Sequence, residues 1–378
     1  MFVDLQESRR RIDEIDQQIV ELFEKRMSVA SNVADYKLAT GKPVFDKERE
    51  DAKIESLVAA TEDEFNKRCV EELFTQIMAM SRKLQYGKLE QRAGDSKLEK
   101  YDLIDEIPRT GVKVVYQGVP GAYSHEAVLN YFDESVEIIN VDSFRDAMEA
   151  VSNLEADYAV IPIDNSSAGM VSDTYDLLQE YNNYIVGETF VKVDHCLLVK
   201  PGTKIEQIRK VYSHPQALMQ CRKYLDEHKD WIKEEYPNTA MSARKIALEN
   251  DCTQAAIGSA NCAKEYGLEI LCSGINSSSA NTTRFVIVSK KRAFVRNASK
   301  VSICFEIVHK AGSLYNAISH IMFNGLNMTK IESRPIAEHN WEFRFFVDFD
   351  GNLAEPGVRN ALRGISEESN TMKLLGNY

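Results

Sequence analysis

Apolar residues recur at steps of three and four along the first forty positions, as Ile12, Ile15, Ile19, Leu22, Ala30 and Val33. The same stripe carries Arg9, Arg26 and Lys37. The period is that of an amphipathic helix whose stripe faces a core. Cations almost never enter a core alone, so either acidic side chains or an anionic ligand must meet them. At 1.5 Å per residue, Arg9 lies about 25 Å from Arg26 along the axis. One small ligand cannot touch both on one helix. A second copy packed antiparallel would bring its Arg9 to the first copy's Arg26 and Lys37, which predicts a helical dimer with shared anion sites.

The periodicity then changes twice. Gly41 and Pro43 stop the first helix, a shorter one is expected over 46–60, and a third over 63–86 with Val70, Phe74, Ile77, Ser81 and Gln85 on one face. Residues 87–111 are polar and weakly patterned, as a linker would be. From Val112 short apolar runs (113–118, 136–141, 158–163) alternate with amphipathic stretches, and a second such series covers 195–259. This alternation predicts two α/β lobes, each with a mostly parallel sheet, around a cleft, with 284–288 returning to the first lobe. After Lys290, Lys291 and Arg292, the order from 299 to 378 is βαββαβ, that of a ferredoxin-like sandwich.

Composition narrows the classes. The 378 residues allow two or three domains. A net charge of -12 argues against a general nucleic-acid binder, and no apolar run approaches a membrane span. Seven cysteines, with no C-x-x-C pair, read as reduced thiols of a cytoplasmic protein. Neither metal-ligand spacing nor a nucleotide-binding glycine pattern occurs, so no cofactor or metal is expected.

Beside the cationic stripe stand Asp46, Arg49 and Glu50 at the start of the second helix, and Ser81 and Gln85 one turn apart on the third. Converging cations, an amide and a hydroxyl suit a small dicarboxylate bearing a hydroxyl and an ether. In these motifs and their separations the segment resembles the all-helical chorismate mutase family. The resemblance implies that Arg26 and the partner chain's Arg9 grip two carboxylates, while Lys37 and Gln85 donate to the ether oxygen. Asp46 and Glu50 would orient the ring hydroxyl, with Ser81 and Arg49 in support. A seam that only dimerises would use the same cations without turnover, and Arg26→Ala separates the two readings.

Farther on, Asp164, Asn165 and Ser166 follow a buried strand, Ser-His-Pro-Gln leads to Gln216, and a polar loop enters a strand at Thr283-Arg284-Phe285. Ligands of open α/β sheets bind past such strand ends. With His-Cys-Leu-Leu at 195–198, these runs resemble prephenate dehydratase over nearly all of 112–290. That resemblance implies Thr283 as proton donor to a departing hydroxyl and Arg284 as holder of a carboxylate, with Asn165, Ser166 and Gln216 lining the cleft. Asp164 stands where the family more often has Glu. The C-terminal unit resembles ACT regulatory domains at Gly312-Ser313-Leu314 and Glu332-Ser333-Arg334-Pro335, which implies phenylalanine as effector.

The expected chain is therefore multidomain: an all-α mutase unit over 1–90, a linker over 91–111, a two-lobed, binding-protein-like α/β dehydratase over 112–291, and an α+β ferredoxin-like regulatory unit over 299–378. Chorismate and prephenate would be its substrates and phenylalanine its effector, in a homodimer or higher homo-oligomer. A dehydratase with an inert helical segment, and a non-catalytic amino-acid sensor, are the alternatives.

Overall fold

The computed structural model describes residues 4–92, 101–249, 251–278, 280–336 and 342–378. Part of the polar stretch 91–111 and the tip of the hairpin expected near residue 340 lie outside the described residues.

Three helices open the chain: α1 (Leu5–Thr40), α2 (Lys47–Ala59) and α3 (Glu64–Arg92). Asp4 caps α1 by accepting from Gln6 N, and Gly41 ends it at φ +68°, a left-handed turn that favours glycine. Within one chain α3 covers only part of the α1 stripe. Ile12, Ile15, Ile19 and Leu22 remain between 53% and 63% exposed. An apolar row of this length is left for another surface.

The polar stretch is more ordered than a linker. Helix α3 runs six residues past Tyr86, and β1 (Asp102–Ile104) pairs in parallel with β13 (Ala293–Val295).

The first lobe contains β2 (Lys113–Gln117), α4 (Tyr123–Tyr131), β3 (Glu137–Val141), α5 (Phe144–Ser152), β4 (Tyr158–Asn165), β5 (Gly169–Met170), α6 (Ser172–Glu180) and β6 (Tyr184–Lys192). The chain crosses at β7 (Cys196–Val199) to the second lobe. There β8 (Lys210–Ser213), α7 (Pro215–Gln220), α8 (Arg222–Glu227), β9 (Ile232–Glu235), α9 (Thr239–Leu248), β10 (Gln254–Gly258), α10 (Ala260–Tyr266) and β11 (Glu269–Cys272) complete a five-stranded sheet of order β11-β7-β10-β8-β9. Strand β12 (Thr282–Ser289) then returns to the first sheet between β4 and β6. Both sheets are mixed, not mostly parallel. Strands that cross between lobes run back along their neighbours, so β12 is antiparallel to β4 and β6, and β7 to β10 and β11.

The last unit is β14 (Lys300–Glu306), α11 (Ser313–Phe323), β15 (Met328–Pro335), β16 (Phe343–Asp350), α12 (Pro356–Glu368) and β17 (Thr371–Asn377), with sheet order β15-β16-β14-β17. It is not a detached bead. Gly376 of β17 pairs with Ile185 of β6, so the two sheets run on as one. The core is continuous as well: Cys304, Phe346 and Leu375 pack in one cluster with Val115, Ile161 and Val286. Helix α12 also lies against α3.

Candidate active sites

In the helical unit, α1, α2 and α3 enclose a cavity of about 550 Å³. Arg26, Lys37, Asp46, Arg49, Glu50, Ser81 and Gln85 all line it. Arg9 does not, since it lies too far back along α1. The Arg26 guanidinium donates to the Ser81 hydroxyl, and the Lys37 ammonium donates to Val44 O at 2.5 Å. Among the described residues no carboxylate lies within ion-pair distance of either cation. Burial lowers the pKa of both Arg26 and Lys37, against the opposing pull of Glu50 on both and of Asp46 on Lys37, so their charge is partly desolvated without a direct ion pair. Gln85 is buried, and its Oε1 has no hydrogen-bond partner. Asp46 also caps α2 by accepting from Arg49 N at 3.3 Å. Such a cavity favours an anion with polar substituents.

One residue beside this cavity was missed from sequence. Arg82, 6% exposed, binds the Glu50 carboxylate and lies over the Phe45 ring, 4.6 Å from its centroid. Burial raises the Glu50 pKa and Arg82 opposes the rise.

The residues expected to serve dehydration divide between two faces of the first sheet. Neighbours along a strand point to opposite faces. Asn165 and Thr283 are register partners on one face, and Asp164 and Arg284 are partners on the other. A β-bulge between Arg284 and Phe285 follows directly. On the first face, Asn165 Oδ1 accepts from Ser167 N and Ala168 N, which fixes the amide orientation. Its Nδ2 then donates to Thr283 Oγ1 and Asn281 Oδ1, both at 2.8 Å. The Thr283 hydroxyl proton is thereby left to point elsewhere. Asn281, 1% exposed, keeps an unpartnered Nδ2 beside this pair. It stands two residues before Thr283, in a polar loop with no pattern to single it out.

Ser166 lines a cavity with Asp164, Asn165 and Arg284. Its hydroxyl donates to Ala280 O and accepts from Thr282 N, pinning the entry to β12. Gln216 stands half-buried in the first turn of α7, where His214 accepts from its backbone N–H as the helix cap. Tyr123 and Gln220 contact the two ring nitrogens of buried His195 at 3.0 Å each, joining α4 to the crossing strands.

On the opposite face Arg284 is held by the protein's own acids. Its Nε donates to Glu188 at 2.7 Å, and its Nη1 to Asp348 at 2.7 Å and Asp164 at 3.4 Å. Its Nη2 donates to the Tyr378 hydroxyl at 2.7 Å. Burial opposes the charge, but Tyr378, Asp348 and Glu188 more than offset it and raise the pKa. The fork expected to hold a substrate carboxylate is thus committed within the protein here. Asp164 in turn binds Lys330 of β15 and the Tyr175 hydroxyl.

In the C-terminal unit, Gly312 begins α11 at φ +82°, and with Ser313 it faces α2 and α3 across a cavity of about 740 Å³. Leu314 packs into that unit's core. Along β15 alternate residues face the first lobe: Glu332 lines a cavity with Asp164, and Arg334 pairs with Asp176. Ser333 and Pro335 lie on the exposed side. The two places therefore look toward different neighbours within one chain. Among the described residues no His, Cys, Asp and Glu cluster could hold a metal, and no helix is long and apolar enough to cross a membrane.

Comparison with known proteins agrees with this division. A family model for chorismate mutase type II matches residues 8–86, and one for prephenate dehydratase matches 114–293. The bifunctional chorismate mutase/prephenate dehydratase of Enterobacter agglomerans is 33% identical, covering 98% of this chain and 94% of its own. The protein of that description from Escherichia coli (strain K12) is 32% identical, over 98% and 95%. A crystal structure of prephenate dehydratase from Arthrobacter aurescens in complex with L-Phe has a TM-score of 0.66 at 28% identity, covering 71% of this chain and 89% of that one. With both family models in register with the two sites, and relatives alike from end to end, this chain belongs to the bifunctional chorismate mutase/prephenate dehydratase family.

Proposed function

We propose that the helical unit rearranges chorismate to prephenate and that the two-lobed unit converts prephenate to phenylpyruvate, under feedback inhibition by phenylalanine. The observation that carries the first step is the partly desolvated Arg26 and Lys37, neither in a direct ion pair, in one cavity with Glu50, Ser81 and Gln85. The [3,3] rearrangement needs no nucleophile. Holding the compact conformer and donating to the ether oxygen as its negative charge grows supply the catalysis. Arg26 takes one carboxylate, and Arg9 of a second copy takes the other. The uncovered α1 stripe supports that copy as its cover, hence a homodimer.

In the second step the ring carboxylate departs as carbon dioxide and the ring hydroxyl as water, taking up a proton. Thr283 is the donor toward that hydroxyl, oriented by Asn165, with Gln216 and Ser166 at the cleft edge. Arg284 and Asp164 support the strand from behind. The C-terminal unit is a ferredoxin-like ACT domain, with Gly312–Leu314 and Glu332–Pro335 as its phenylalanine places. The location is cytoplasmic, and the units are those over 1–90, 112–291 and 299–378, with 102–104 of the intervening stretch paired to 293–295.

A coupled chorismate-to-phenylpyruvate assay with phenylalanine titrated in tests the whole reading. Absence of chorismate turnover would leave only a dehydratase. Unchanged dehydratase rates, together with no heat of phenylalanine binding, would remove the regulation.

A further inference from the structure

Arg82 occupies an unusual position among the buried cations. Its side chain is 8% exposed and bridges two carboxylates that are far apart in the chain. One end binds Glu50 Oε2 on the wall of the mutase cavity, and the other donates to Glu368 Oε1 at 2.7 Å, 286 positions later. The Phe45 ring fixes the plane of the fork between them. Glu368 belongs to the last turn of α12, and the ring of His320 on α11 stands 3.9 Å from it. That ring has little freedom, because it lies against Gly364, where even a methyl group would collide with it. Asn360 of α12 further bonds Lys83 O of α3 at 3.4 Å and Asn324 at 3.0 Å. A rigid path therefore runs from the C-terminal unit to a side chain of the mutase cavity.

We infer that Arg82 is a positioning residue for the mutase reaction, holding Glu50 toward the substrate hydroxyl, and that Glu368 of the C-terminal unit holds Arg82 in turn. The inference rests on the reading of Glu50 as the group that orients that hydroxyl. With both anchors present, the guanidinium takes one oxygen of Glu50 and leaves Oε1 to the cavity. Without Glu368, the fork is free to take both oxygens of Glu50, the bidentate geometry guanidinium favours, and to draw the carboxylate from the substrate. A displacement of about 1 Å in such a group is enough to cost rate. The mutase unit is then not self-sufficient: full turnover requires α12.

The test uses the full chain and measures both activities in each preparation. Glu368→Gln keeps the shape of the side chain and is expected to lower mutase kcat/KM about three- to tenfold, with Arg82→Met lowering it about ten- to a hundredfold. Dehydratase turnover stays within about twofold in both, which certifies the fold. Arg82→Lys retains the charge without the fork and recovers part of the loss. In a Glu50→Gln background Arg82→Met adds nothing further. Parental mutase activity in Glu368→Gln, or an undiminished Arg82→Met effect in the Glu50→Gln background, overturns the inference. If Glu50→Gln itself leaves the mutase intact, the reading of Glu50 has failed, and the inference falls with it.

Discussion

Asn165 donates to Thr283 Oγ1 at 2.8 Å and, because its own oxygen already accepts two backbone N–H groups, it can only donate there. The Thr283 hydroxyl proton is thereby left to donate elsewhere, which in the proposed reaction is toward the departing hydroxyl. Thr283→Val removes the hydroxyl at near-constant volume and should cut dehydratase kcat by about 10²- to 10³-fold. Thr283→Ser should keep more of it. Mutase turnover in the same samples should not change; a matching loss there would point to misfolding.

The placement of Arg9 outside its own chain's cavity predicts complementation. Arg9→Ala and Arg26→Ala chains should each lose mutase activity by about 10³-fold or more, the loss expected when a carboxylate clamp is removed. Mixed in equal amounts and allowed to exchange, they should regain about a quarter of parental activity, since half of the dimers then hold one intact site of two. No recovery on mixing, with subunit exchange verified, would remove the shared site and with it the role of Arg9.

Arg284 answers to three carboxylates and a phenol, so its removal leaves buried acids uncompensated. Arg284→Met should destabilise the chain by about 3–5 kcal/mol in denaturant unfolding. Asp348→Asn should cost less, because Glu188 and Asp164 remain. A variant as stable as the parent yet unable to dehydrate would return Arg284 to substrate binding.

Glu367 carries an unpartnered buried oxygen, and burial raises its pKa to about 7. The folded chain holds that proton more tightly than the unfolded chain, whose carboxyl titrates near 4.5. Between these values stability therefore falls as pH rises, and above about 7 the full cost persists. Glu367→Gln should stabilise the chain at pH 8, on the order of 1 kcal/mol after allowing for solvent screening, with little effect at pH 5. Thermal unfolding at the two pH values reads the difference.

Gly376 lies so close to Ile185 O that a side chain there would strike the backbone. Gly376→Ala should open the seam between β17 and β6 and cost about 2–3 kcal/mol. Hydrogen exchange should show the loss first at β6 and β17.

The first helix was legible because its period and its misplaced cations are local facts, and the cavity residues around it follow fixed separations. The dehydratase residues were legible only through resemblance: nothing in the chemistry of Thr283 singles it out. Strand alternation alone, however, foretells that Asp164 and Asn165 face apart, as do Thr283 and Arg284. Arg82 and Glu368 left no local trace, since a pairing 286 positions long has no period. The pairing of 102–104 with 293–295 escaped for the same reason: its strands are short, and Asp105 meets Arg296 across 191 positions.

The cage around Arg284 also imposes an order in time. Asp348 and Tyr378 lie 64 and 94 positions beyond the arginine they compensate. On the ribosome, both lobes and β12 emerge while two of the four groups that bind this cation are still unmade. Until the C-terminal sheet is made, Arg284 has only Glu188 and Asp164 to bind. Full closure of the cage around β12 is therefore expected only once the C-terminal sheet has been made.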